Sequence, residues 1–177
     1  VKSSFSKNSG RRGTANLGYI SRGGALEKGR APVYDREGNI LHKSDFKDLR
    51  QEIKEAKMER RLIFSPKDPE LSKEDIGIMV RDVLERYQTE EGRNFQYVYA
   101  VHDHNERAHV HVLSWGDKAD LKMDKDDLAS IKDRAQDLEI EQEKNIDFDI
   151  TKEGVIEKDD IGELDIDGDG KSLEAQL

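Results

Sequence analysis

The sequence predicts an α+β chain in which antiparallel strands stand among amphipathic helices. Two runs rich in β-branched and aromatic residues, FQYVYAVH (95–102) and AHVHVLSW (108–115), are separated only by a short polar segment, as neighbouring antiparallel strands would be. Three other stretches repeat apolar residues at helical spacing. Together these observations exclude an all-helical or an all-β chain.

Residues 1–39 are rich in Gly, Ser and Arg and carry no sustained period, so they read as a loop-rich basic arm with one short candidate strand at Leu17 to Ile20. Ser44 stands as an N-cap before Phe46, Leu49, Ile53 and Ala56, which predict a helix over about 45–58. Leu62, Ile63 and Phe64 form a short strand that leaves the core at the turn signal SPKDP. Ser72 and Asp75 have capping-box-like spacing, and Ile76, Met79, Val80, Val83, Leu84 and Tyr87 share one face of a helix over about 73–88. After the two strands, Leu128, Ile131, Ala135 and Leu138 predict a third helix.

Beyond about residue 145 the chain is acidic and poor in core formers. A domain over 1–145 followed by a disordered acidic tail over 146–177 is the expected organisation. The tail contains DIDGDGKSLEAQ, which resembles a calcium-binding loop through Asp165, Asp167, Asp169 and Gly170. Its twelfth position is Gln176 instead of a bidentate Glu, which favours the plain acidic tail.

Charge is unevenly distributed. Residues 1–61 hold 15 Lys and Arg against 8 Asp and Glu, a local +7, whereas residues 117–177 hold 9 against 21, a local −12. The net charge of −9 therefore conceals a basic end able to attract phosphates. There is no cysteine, which excludes disulfides, thiolate metal sites and cysteine nucleophiles. No apolar run approaches the roughly 18 residues that span a bilayer, and the N-terminus lacks a signal-peptide apolar region. A cytoplasmic protein without membrane insertion is expected.

Of five histidines, four (His102, His104, His109 and His111) fall within ten residues. On a strand, His109 and His111 project from one face while Val110 and Val112 point to the other. An isolated His-x-His strand more often exposes two imidazoles to water. A third imidazole, His102 at the end of the adjacent strand, makes a three-nitrogen metal site the better reading. His104, in the connecting turn, reads as a neighbour of the site or a solvated residue. The absence of Cys and of an HExxH helix argues against a metalloprotease. The basic arm points to phosphate as what such an ion would polarise. Tyr87, Tyr97 and Tyr99 have ordinary packing positions. Tyr19 lies in an apolar patch of the basic arm where a phenol could meet a phosphate, but composition does not separate it from Tyr34, and a structural role fits it equally well.

The segment HDHNERAHVHVL resembles the third motif of the HUH relaxases, plasmid-mobilisation nucleases that nick one DNA strand at a transfer origin. LGYISRGG is similar to their N-terminal motif with the nucleophilic tyrosine, RLIFSPKDP to their second motif around a strand-end serine, and DDLASIKDRAQDLEIEQ to the helix after the metal strands. The match covers about residues 15–143. It implies the HUH-endonuclease fold, a central antiparallel β-sheet with flanking helices. It also implies that Tyr19 attacks the scissile phosphate of single-stranded DNA, leaving a reversible 5'-phosphotyrosine link and a free 3' hydroxyl. His102, His109 and His111 would hold a divalent ion, Mn or Mg in use, although three imidazoles prefer later transition metals. Ser65 and the arm residues Arg11, Arg12 and Arg22 would contact DNA. Accessory DNA-binding and secretion-coupling proteins would be partners.

One departure is visible. The family often has an acidic residue two positions after its first histidine, where this chain has His104, with Asp103 before it. Asp103 or Glu106 could orient a ligand imidazole, and the general base for the phenol stays open. Rolling-circle replication initiators and single-tyrosine transposases share the histidine pair but carry the nucleophile after it. This chain has no tyrosine after Tyr99. The alternatives from another class are a catalytically inactive DNA-binding module of the same fold and a metal-binding protein with no nucleic-acid role.

Overall fold

The computed structural model describes residues 1–6, 10–22, 31–69, 71–102 and 108–156. Its elements, in chain order, are β1 (Lys2–Ser6), α1 (Gly10–Ile20), α2 (Asp45–Glu55), β2 (Met58–Phe64), α3 (Lys73–Glu90), β3 (Gln96–His102), β4 (His109–Gly116), α4 (Lys118–Leu121) and α5 (Lys125–Ile156). The chain is α+β, and it divides into two units, Val1–Glu141 and Gln142–Leu177.

In the first unit the strands form one antiparallel sheet in the order β1-β2-β4-β3. β3 and β4 pair from Gln96↔Trp115 to His102↔His109, as their alternation predicts. Period two divides each strand between two cores. Tyr97, Tyr99 and Val101 of β3, Val110 and Val112 of β4, and Met58, Leu62 and Phe64 of β2 pack in one cluster with α3 and α5. Val98, Ala100, Leu113 and Trp115 lie in the other cluster, with Leu17 and Ile20 of α1 and Ile53 of α2. The histidines continue this second set: His102 follows Val98 and Ala100 along β3, and His109 and His111 precede Leu113 along β4.

α3 forms as expected. Ser72 accepts a hydrogen bond from the Asp75 amide at 3.1 Å, and Ile76, Met79, Val80, Val83, Leu84 and Tyr87 are all buried. α2 ends at Glu55, short of the predicted 58, with Ala56 already extended. Ser44 does not cap it through its side chain. The Asp45 carboxylate accepts from the His42 amide at 2.7 Å instead.

Three expectations are corrected. The basic arm is not loop-rich throughout, because β1 and α1 lie in it, and the candidate strand at Leu17 to Ile20 is the last part of α1. Leu17 and Ile20 stand one turn apart and are completely buried against the sheet, a tertiary gain that outweighs the low helix propensity of a Gly-rich segment. β2 does not leave the core at its end. It is an interior strand that starts four residues earlier, at Met58, where the charges of Glu59, Arg60 and Arg61 disguise it. Arg60 is buried at 3% exposure because its guanidinium donates to the carbonyls of Leu121 (2.8 Å) and Met123 (3.2 Å) and to Ser3 Oγ (2.7 Å).

The third correction concerns the tail. α5 continues past residue 145 to Ile156, so residues 146–156 are helical. Extending a helix already nucleated needs no new nucleus, and Glu, Gln and Lys are good helix formers, so a lack of core residues does not imply a lack of structure. Residues 157–177, with the stretch from Asp165 to Gly170, lie outside the described residues.

Candidate metal centre

The register brings three imidazoles together. His102 and His109 are direct cross-strand partners, and His111 sits one pleat along β4, opposite Ala100. Ring centroids are 5.5 Å apart for His102 and His109, 4.7 Å for His102 and His111, and 5.0 Å for His109 and His111. One ligand nitrogen from each falls within 4.8 Å of the others. His102 and His111 are 6% exposed and His109 more so, so the cluster is buried on one side and open on the other.

His102 has a backbone partner: its Nε2 lies 2.9 Å from the carbonyl oxygen of Ile20. A carbonyl only accepts, so Nε2 carries a proton, and in the neutral ring Nδ1 has the lone pair. Ile20 ends α1, and its carbonyl is one of the four that a helix leaves without an intrahelical partner. The orienting group sought in Asp103 or Glu106 is thus supplied, at this ring, by the backbone. Asp103, His104 and Glu106 lie outside the described residues.

Beside this cluster stands Tyr19, half exposed, its ring edge-on to His111 with centroids 5.5 Å apart. Tyr34 is elsewhere. Its ring stacks on Tyr99 at 5.2 Å, and the two exchange backbone hydrogen bonds of 2.8 and 3.0 Å, which places Tyr34 with the α3 core. Of the two tyrosines left open by composition, only Tyr19 meets the histidines.

Arg61 was missed by sequence reasoning. Its guanidinium lies over the Tyr19 ring at 5.8 Å, on the side chain set that β2 turns toward α1. Arg61 donates to Asn16 Oδ1 at 3.3 Å, and Asn16 Nδ2 donates to Glu59 Oε1 at 3.1 Å. Glu59 is 2% exposed. Asn16 and Tyr19 are three residues apart on α1, and Glu59 and Arg61 two apart on β2, so helix and strand periods bring the four side chains to one place. The signal was present in the spacing but readable only once α1 was known to be a helix.

Other predicted residues are less central. Arg22 is exposed just after α1, its amide donating to the Tyr19 carbonyl at 3.1 Å. Arg11 and Arg12 lie in the first turn of α1. Ser65 is exposed past the end of β2, where it lines a small cavity of about 80 Å³ with Val1, Met79, Lys132 and Ala135.

The donor set fits a divalent ion: three neutral nitrogens, close enough to converge and open on one side, suit a borderline transition metal that keeps free positions. No family model matches the chain, and neither a curated protein nor a solved structure matches it significantly. Among the described residues no helix is long and apolar enough to cross a membrane.

Proposed function

We propose that the chain is an HUH-class relaxase, a site- and strand-specific nickase of single-stranded DNA that acts in the cytoplasm at a transfer origin. The observation that carries this reading is Tyr19, whose phenol stands edge-on to His111 in a cluster of three imidazoles. The sheet with helices on both faces agrees with the fold that the motifs imply.

In this reading the Tyr19 oxygen attacks the scissile phosphorus. The bond from phosphorus to the 3' oxygen breaks, the phenol gives up its proton, and the departing 3' oxygen takes one up. The product is a 5'-phosphotyrosine link and a 3' hydroxyl, an exchange of one phosphodiester for another that runs equally in reverse. His102, His109 and His111 would hold a divalent ion, which would supply Lewis acidity toward the scissile phosphate. Arg61 adds a fixed positive charge beside the phenol, and the link through Asn16 to Glu59 holds it there. The hydrogen bond from His102 to Ile20 keeps the end of α1, and so Tyr19, against the histidines.

The test is covalent capture. The 177-residue chain incubated with Mn and a diverse pool of single-stranded oligonucleotides should yield a denaturation-resistant adduct that peptide mapping assigns to Tyr19, and Tyr19→Phe should yield none. An adduct on Tyr34, or one that survives Tyr19→Phe, removes Tyr19 from the mechanism. Failure to react with DNA that contains the transfer origin would favour a binding module.

A further inference from the structure

A second feature, at the end of α1, has no part in the chemistry above. A cavity of about 480 Å³ opens beside the end of α1, lined by Ser21, the segment 31–33, Leu41 and, from α2 and the residues before it, Lys43, Phe46, Lys47 and Arg50. Its wall is half apolar, and among the described residues the charged groups on it are all cations. The cavity lies in the basic end of the chain, residues 1–61, yet its charge is not that of α2 as a whole, whose Asp45, Asp48 and Glu52 line a different cavity. Helical spacing sorts α2 into a basic flank and an acidic flank, and only the basic one meets this cavity.

The cavity also has an aromatic floor. Phe46 is half-buried, packed against the α1 and α2 core, with the Arg50 guanidinium 5.9 Å over its ring. An aromatic ring on a fixed helix, an apolar wall and exposed cations at the rim are what an unstacked nucleotide needs: a surface for the base and charge for the phosphates. The volume lies in the range of small-molecule pockets. Ser21 ties the cavity to the site, being two residues beyond Tyr19 and bonded to Gly18 O at 3.1 Å.

We infer that this cavity is a subsite for one nucleotide of single-stranded DNA close to the nick, its base against Phe46 and its flanking phosphates on Lys43, Lys47 and Arg50. The inference rests on the relaxase reading for the substrate class. Such a subsite would hold the strand next to the bond to be cut and favour an unpaired substrate, because a base inside a duplex cannot enter.

Fluorescence anisotropy with a labelled single-stranded oligothymidine, read across a salt series, tests it. Lys47→Gln and Arg50→Gln change exposed side chains and should fold normally. Each should weaken binding about threefold to tenfold and reduce the magnitude of the salt slope by about 0.7, the value for one phosphate contact on a single strand. Phe46→Ala should weaken binding about tenfold, and Phe46→Trp should restore it. Lys54→Gln, on α2 but outside the cavity, should change neither. If the wild type binds and is captured on Tyr19 while the Lys47 and Arg50 variants bind with unchanged affinity and slope, the subsite is wrong and the relaxase reading stands. If duplex binds as tightly as single strand, the base has no place in the cavity. If the wild type binds no single-stranded DNA, the relaxase reading falls and takes the subsite with it.

Discussion

The His102 ring donates from Nε2 to the carbonyl oxygen of Ile20 at 2.9 Å, which joins the end of β3 to the last residue of α1. A single hydrogen bond thus links the histidine cluster to the residue after Tyr19. It satisfies an orphan helix carbonyl, selects the tautomer of His102, and holds the phenol beside His111.

Replacing His102 should therefore do more than replacing His109. Both His102→Ala and His109→Ala remove one imidazole of the candidate metal site, but only the first frees the Ile20 carbonyl. Without metal, His102→Ala should be less stable than His109→Ala by about 1 to 2 kcal/mol. Amide exchange at the last turn of α1 should quicken only in His102→Ala, and equal exchange in both variants would argue against the link.

Ion binding should be measurable directly. At a hundredfold excess over Kd, a ligand specific for the native state adds about 2.7 kcal/mol. In a chain of this size that raises Tm by about 5 to 10 °C. Ni and Zn should act at lower concentration than Mn, in the order expected of imidazole donors. His111→Ala should lose most of the effect, and a wild type whose Tm ignores all three ions has no such site.

Arg61 and Asn16 can be separated from folding by their chemistry. Arg61→Ala should lower the rate of adduct formation about tenfold to a hundredfold with little loss of ion affinity. Arg61→Lys should recover part of the rate by restoring charge without the planar fork. Rates unchanged in Arg61→Ala would leave the guanidinium a packing role alone.

Gly13 marks where α1 comes closest to its neighbours. A Cβ at that position would collide with Ile53 Cγ2 and Glu59 Oε2, both completely or almost completely buried. Gly13→Ala should cost about 1 to 3 kcal/mol. Gly18, on the same helix, has open space around it, so Gly18→Ala should be neutral or stabilising by up to about 1 kcal/mol. Urea unfolding of the two variants gives the comparison, and equal midpoints would mean that α1 docks differently.

Alkaline titration probes the other core. Burial pushes the Tyr87 and Tyr97 phenols up to about 12 and raises Tyr99 as well. A phenol held neutral in the fold contributes stability that is fully present below its unfolded value of about 10. That stability is lost as pH rises through about 12. Tyrosinate absorbance should therefore show a late phase that coincides with loss of ellipticity. Five tyrosines ionising together near pH 10 in a still-folded chain would contradict the burial.

The parts legible in the sequence are those where one local period decides the structure. β3 and β4 alternate, α3 repeats its apolar face behind a Ser72 cap, and His109 and His111 share a strand face whatever lies around them. The start of β2 was hidden because Glu59 and Arg60 look like surface residues until their partners on α1, α4 and the following loop are known. α1 was hidden because its glycines signal a loop, and Arg61 was invisible as a site residue for the same reason.

By itself the sequence determined that three imidazoles would meet on one face of an antiparallel pair, since a period of two and a short connection leave little freedom. Which tyrosine stands beside them was decided only by the tertiary structure. Composition does not separate Tyr19 from Tyr34, and the contacts that place them apart are long-range. Leu17 and Ile20 bury α1 against one face of the sheet, while Tyr34 pairs with Tyr99 and joins the core on the other. Burial and strand pairing between residues far apart in the chain carry that placement, which neither composition nor a local period encodes.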